Sequence, residues 1–324
     1  MRSLFLLLVT FFLSCNKEDD DQAIPDTEYK QRMRELVISI SRYAKSVNPG
    51  FLIIPQNGIE LVSSNAEGSG PPHTAYLAAI DANGQEDLLY GYDNDNQATS
   101  ADRASYLTGY LNIAKDAGKK ILVTDYCSTP SKMDQSYHEN NRSGFISFAA
   151  DQRELSNIPA YPGSPYNENN TNINSLAEAK NFLYLLNTEN FASRSLFIKA
   201  VQATNYDVLI TDLFFTDGTS FSASEISELK RKKNGGRRLV ISYISIGEAE
   251  NYRYYWNADW NNNKPAWMDM ENPDWPGNFK VKYWEPEWQQ IIFGNNISYI
   301  KRISDAGFDG AYLDIIDAFE FYEK

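Results

Sequence analysis

Residues 238–256 read RLVISYISIGEAENYRYYW. Leu239, Val240, Ile241, Ile244 and Ile246 make an apolar, largely β-branched run, the pattern of a strand covered on both faces. The run stops at Gly247 and gives way to Glu248, Glu250, Tyr252, Arg253 and Trp256. Core packing has no use for two carboxylates where a buried strand surfaces. Chemistry at the mouth of a parallel barrel does, because such sites sit at the strands' C-terminal ends.

Seven further strand patterns flank this one: FLIIP (51–55), EDLLYGY (86–92), ILVTDY (121–126), FISFAA (145–150), FLYLL (182–186), VLITD (208–212) and GAYLDII (310–316). Helical patterns separate most of them. Tyr29–Val47 carries an apolar stripe at Met33, Leu36, Val37, Ile40, Tyr43 and Ala44, and Asn48-Pro49-Gly50 stops it. Further helices are expected over 101–117, near 191–204, after the capping box Ser222/Glu225, and over 288–306. Eight strands with helical crossovers predict an α/β fold, a (β/α)8 TIM-like barrel forming one domain over 29–324. Within it, 156–175 reads as a linker. Residues 256–288 hold all six tryptophans and read as an elaborated loop that includes the VKYW run (281–284).

The start of the chain differs. MRSLFLLLVTFFLSC (1–15) has a basic residue, an apolar run too short to span a membrane as a helix, and then Leu13-Ser14-Cys15. It resembles a bacterial lipoprotein signal, which implies lipidation of Cys15 and an anchor in the cell envelope, on its periplasmic or cell-surface face. Residues 16–28 then read as a solvated tether. With Cys15 lipidated, Cys127 has no partner for an intrachain disulfide. It reads as a half-buried cysteine at a strand end. A catalytic thiol is the alternative, but neither His73 nor His138 sits in a partner motif.

Composition narrows the function. The net charge of −13 lacks the basic footprint of nucleic-acid binding; it suits a cationic substrate, and an ordinary acidic soluble protein carries such a charge as well. Aromatics at 14% exceed ordinary packing needs and fit a surface on which sugar rings stack. Acids recur at strand C-ends: Glu86, Asp125, Asp212, Glu248 and Asp314. Any one of these is ordinary helix capping. Five on one rim crowd like charge, raise some pKa values and set up acid/base pairs, as glycosidic cleavage requires. Zinc motifs, phosphate-cradling loops and a strand-end Schiff-base lysine are not found in the sequence, and neither metal nor cofactor is expected.

GEAENYRYYW (247–256), KYWEPEW (282–288), GFDGAYLDIID (307–317), LIIPQNG (52–58) and the EDLLY strand together resemble glycoside hydrolase family 114, the endo-α-1,4-polygalactosaminidase-like barrels. The resemblance implies an extracytoplasmic hydrolase that cleaves α-linked, galactosamine-containing polysaccharide with two carboxylates. Matched motif by motif, the pair is Asp314 and Glu86. Gln56, Asn57, Asp125, Tyr126, Asp212, Tyr243, Glu248, Glu250, Tyr252, Arg253 and Trp284 are expected to bind sugar. In the family the segments matching 180–324 precede those matching 30–155, so this chain resembles a circular permutant. Its partners are expected to be the polysaccharide and, through the lipid, a membrane, with the protein a monomer. A non-catalytic glycan-binding lipoprotein on the same scaffold is the rival reading.

Overall fold

The computed structural model describes residues 26–323. The signal segment with Cys15, and the tether as far as residue 25, lie outside the described residues. Helix α1 (Asp26–Val47) begins inside the span expected to be tether. The order continues β1 (Leu52–Pro55), α2 (Thr74–Ala79), β2 (Ala82–Glu86), α3 (Ala101–Asp116), β3 (Lys120–Tyr126), α4 (Pro130–Arg142), β4 (Ile146–Ala150) and β5 (Phe182–Tyr184). Next come α5 (Arg194–Gln202), β6 (Val208–Asp212), α6 (Ala223–Leu229), β7 (Leu239–Ser245), β8 (Glu248–Glu250), β9 (Met268–Glu271) and β10 (Asn278–Val281). The chain closes with α7 (Pro286–Ile292), α8 (Tyr299–Asp305), β11 (Gly310–Asp314) and α9 (Phe319–Tyr322).

Two parallel sheets make the α/β core. One runs β5–β6–β7–β11–β1 and the other β2–β3–β4. Strands therefore neighbour one another in chain order, and β11 leads back to β1. The seams differ from the expected closed ladder. At one seam Gln56 and Gly84 form a single parallel bridge, and Asn57 N donates to Gly84 O at 3.0 Å. At the other, β4 packs beside β5 through Phe148 and Phe182, whose ring centroids are 5.6 Å apart, and no ladder joins them among the described residues. β5 is only three residues long, too short to pair fully on both edges.

Helix α1 buries the stripe read from the sequence: Met33, Leu36, Val37, Ile40 and Ala44 are all buried. The two described ends meet, with Tyr29 stacked on Tyr322 at 5.5 Å and Lys30 paired to Glu323. No helix among the described residues is long and apolar enough to cross a membrane.

Three expected elements change. The second strand is ANGQE, ending where the expected EDLLYGY strand begins. Asn and Gly are poor strand formers, which hides it in the sequence. Gly84 is nonetheless required, because a Cβ there would lie 2.0 Å from the Tyr312 hydroxyl. The expected helix 288–306 is broken into α7 and α8, with Gly294 between them at φ 97°. The tryptophan loop contains β9 and β10, which form an antiparallel sheet in the order β8–β10–β9. Its short strands lie among Asn, Pro and Trp, so no alternation marks them.

Candidate active site

Three strands end side by side, and each ends on a left-handed residue. β1 runs through Gln56 into Asn57 (φ 61°), β2 ends at Glu86 before Asp87 (φ 59°), and β11 ends at Asp314 before Ile315 (φ 58°). Asn and Asp tolerate this conformation, but a β-branched Ile does not do so readily. Strain held by surrounding structure clusters at functional sites. Here each turn follows directly on a side chain aimed at a shared point.

That point is the Gln56 amide. Its Nε2 donates to Glu86 Oε2 and to Asp314 Oδ1, both at 3.0 Å. Both acceptors are carboxylates, which fixes which amide atom faces them. One nitrogen holding both oxygens keeps them roughly 5 Å apart when each N–H points at its own acceptor. Asn57 Nδ2 donates to Glu86 Oε2 at 2.9 Å, and the Tyr126 hydroxyl donates to Glu86 Oε1. The Tyr243 hydroxyl donates to Asp314 Oδ2 at 2.8 Å. Asn57 Oδ1 accepts from the Glu86 backbone N–H at 3.0 Å, which ties the β1 turn to the β2 end.

Both carboxyls are only partly exposed, and both have raised pKa values. For Glu86, burial is the main cause, and the negative charge of Asp314 adds to it. For Asp314, burial again dominates, while the Tyr243 hydrogen bond opposes it and Asp317 reinforces it. Two carboxyls this close do not ionise together readily, so one of them keeps its proton above the ordinary carboxylate range while the other is ionised. A proton donor beside an ionised carboxylate is the equipment for splitting an acetal.

A second cluster borders the first. Arg253 is 8% exposed and reaches Asp212 Oδ2 at 2.7 Å and Glu250 Oε2 at 2.6 Å. The Tyr252 hydroxyl donates to Glu250 Oε1 at 2.6 Å, and Tyr252 is 62% exposed. Asp212 pairs in register with Tyr243, so this cluster adjoins the ring that holds Asp314. It leaves the Tyr252 ring largely open to solvent.

Several residues expected to touch sugar do other work. Asp125 is fully buried, and its carboxylate accepts from the Leu89 and Tyr90 amides (2.7 and 3.2 Å), Ser136 (2.6 Å) and Asn140 (2.9 Å). It secures the turn after β2. Glu248 is also fully buried, held by Lys280 at 2.6 Å and Asn272 at 2.8 Å. Tyr126, Tyr243 and Asn57 are committed to the carboxyl pair. Gln56 is too, though its Oε1 has no partner among the described residues. Trp284 packs against Tyr29 and Tyr322 at the meeting of the described ends. Trp256, Trp260, Trp267 and Trp288 form a chain of ring contacts with spacings of 5.1–5.3 Å, and Trp288 donates to Ile246 O. Most of the tryptophan surplus is therefore packing. Cys127 is buried, with its thiol pushed up to about 12 by burial, which removes the thiol alternative. No group of three or more His, Cys, Asp or Glu among the described residues is placed to hold a metal ion.

Sequence reading missed Gln85, Tyr92, Arg103, Asp317 and Glu320. With Asn57 and Glu86, they line a cavity of about 240 Å³. Only the neighbouring acids Glu86 and Asp87 hinted at it.

A profile of glycoside-hydrolase family GH114 matches residues 163–323. An uncharacterized protein of Methanocaldococcus jannaschii is 39% identical over 157 residues, 48% of this chain and 42% of that protein. Uncharacterized proteins of Deinococcus radiodurans and Thermotoga maritima are 41 and 38% identical, over 39 and 38% of this chain. The matches span 42, 38 and 36% of these relatives' own lengths, so the chain covers about two fifths of each. The crystal structure of Aspergillus fumigatus Ega3 in complex with galactosamine matches 43% of each chain at 23% identity with a TM-score of 0.27. Asp212, Glu250, Arg253 and Asp314 lie in the profile-matched half, and through that half the chain belongs to glycoside-hydrolase family GH114.

Proposed function

We propose that this chain hydrolyses α-linked, galactosamine-containing polysaccharide, with Glu86 and Asp314 as its two catalytic carboxyls. One observation carries the reading: a single Gln56 nitrogen holds both carboxylates, delivered by strands 228 positions apart in sequence but separated in the fold only by β1. A separation of roughly 5 Å suits a double displacement that retains anomeric configuration, in which one carboxylate attacks and the other protonates the leaving oxygen. The family resemblance of the motifs supplies the substrate class, and the net charge of −13 favours a cationic polymer.

Glu86 lies outside the profile-matched half, and we read residues 30–155 as the part of the barrel that follows in other members. The chain-order neighbouring of the strands, the β11–β1 pairing and the meeting of the described ends favour a barrel cut after β11 and rejoined through 156–175. Lipidation at Cys15, a cell-envelope location, action as a monomer and the polysaccharide as partner belong to the same proposal.

The test is release of reducing ends from partially deacetylated galactosaminogalactan by the wild type, E86Q and D314N. Hydrolysis by the wild type, with losses beyond a thousandfold in both variants and unchanged unfolding midpoints, is expected. Binding without cleavage by the wild type would instead support a glycan-binding protein. Nuclear magnetic resonance of the first-formed product reads the anomeric outcome, and inversion would exclude the double displacement.

A further inference from the structure

Glu86 has a second flank. The 240 Å³ cavity lies against Glu86 and Asn57, while Asp314 is not part of its lining. That volume falls below the roughly 300 Å³ at which pockets begin to hold drug-sized ligands, so it suits one small ring. Two polar groups in its wall lack partners among the described residues. Gln85 is 5% exposed, and its Oε1 accepts no hydrogen bond although its Nε2 is tied to Asn57 Oδ1 and Glu86 O. The Arg103 Nε donor is likewise unpaired. A buried donor or acceptor without a partner is unfavourable, and an occupant of the right chemistry would satisfy both. One acceptor and one donor together match hydroxyl groups, which both give and receive. At the lip, Tyr92 is 48% exposed, with the Arg103 guanidinium 4.7 Å from its ring centroid and 5.1 Å from that of Tyr106. The guanidinium props up an aromatic wall that is otherwise open to solvent.

We propose that this cavity is a subsite for one further pyranose unit of the bound glycan, stacked on Tyr92 and hydrogen-bonded by Gln85 and Arg103. The proposal rests on the hydrolase reading for the identity of the glycan, not for the existence of the site. Charge selects among pyranoses. Asp87 is neutralised by Arg153 and Glu60 accepts from the Tyr106 hydroxyl, whereas the Asp317 carboxyl meets only its own backbone N–H and neither Asp317 nor Glu320 forms an ion pair among the described residues. Burial and neighbouring carboxylates push Asp317 up to about 7 and raise Glu320 as well. A uronic acid ring would add another negative charge here. A neutral or protonated amino sugar would not.

The experiment measures dissociation constants of α-1,4-galactosamine oligosaccharides of two to six units on full-length D314N, D314N/Y92A and D314N/Y92F by calorimetry. Affinity should climb with length, and Y92A should erase one step of that climb, about tenfold, while Y92F keeps it. Identical length profiles in Y92A and Y92F would overturn the subsite. α-1,4-Galacturonic acid oligosaccharides should bind D314N at least tenfold more weakly at pH 7.5, and equal binding would overturn the charge selection. If the wild type fails to cleave the polymer but the Tyr92-dependent step persists, the hydrolase reading falls and the sugar site stands. If cleavage occurs and the step is absent, the reverse holds.

Discussion

Replacing Gln56 by Leu removes the one donor that both carboxyls share and leaves their strands untouched. Gln56 is 2% exposed, its Nε2 makes two 3.0 Å contacts, and its Oε1 makes none among the described residues, so a leucine of similar size fills the space, Glu86 Oε2 keeps Asn57, and Asp314 Oδ1 loses its side-chain donor. A hydrogen bond to an ionised carboxylate contributes about 1.5–3 kcal/mol. The substitution withdraws it from the charged form alone, so the pKa of the ionised member rises by about one to two units. The active form needs that member ionised, so the acid limb of the kcat/KM profile should move up in pH by the same amount. At a pH below both limbs the variant should be about ten- to a hundredfold slower, with the gap closing as pH rises. Reducing-end release measured from pH 4 to 8 reads the shift. Carbon-13 titration of the Glu86 and Asp314 carboxyls reads it without turnover. An unmoved acid limb and unmoved titrations in a variant with wild-type unfolding behaviour would refute the shared-donor argument.

Three further outcomes follow from the geometry. Asp125→Ala strands two backbone amides in the interior and leaves Ser136 and Asn140 with only each other and Ser147, so urea unfolding should report a loss of about 3 kcal/mol or more, with oligosaccharide affinity of the folded protein unchanged. Gly84→Ala places a Cβ 2.0 Å from the Tyr312 hydroxyl, and overpacking beside the site should lower stability by about 1–3 kcal/mol and reduce activity, while wild-type values would remove the close-approach argument. Asp317 carries a folded-state pKa raised to about 7, against the ordinary 3.8 of an unfolded Asp. Between those values the unfolded chain ionises first, so the stability present at pH below 4 is lost as pH rises toward 7. Asp317→Asn should therefore match the wild type in thermal midpoint at pH 3.5 and exceed it at pH 8. Equal midpoints at both would show that Asp317 is not held protonated.

The sequence was most legible where burial imposed a pattern. β6, β7 and β11 are nearly continuous apolar runs because both faces are covered, and α1 declares its buried stripe by helical spacing. It was least legible at β2, where Gly84 serves a tyrosine hydroxyl from a distant strand, and in β8–β10, where short strands pair within a loop. The site divides the same way. Glu86 and Asp314 announced themselves as acids at strand ends, but Asp125 and Glu248 announced themselves equally, and only their surroundings distinguish them. Asp125 meets four internal donors and Glu248 meets Lys280 and Asn272, whereas Glu86 and Asp314 meet each other across one amide.

By itself the sequence determined that buried strands border carboxylates, because local hydrophobic runs and the residues that flank them are properties of contiguous chain. Which carboxylates became a pair, which became struts, and which flank opened into a cavity were decided by tertiary structure alone. A carboxyl's pKa and partners depend on burial and on charges a few ångströms away, and those neighbours come from segments far apart in the chain.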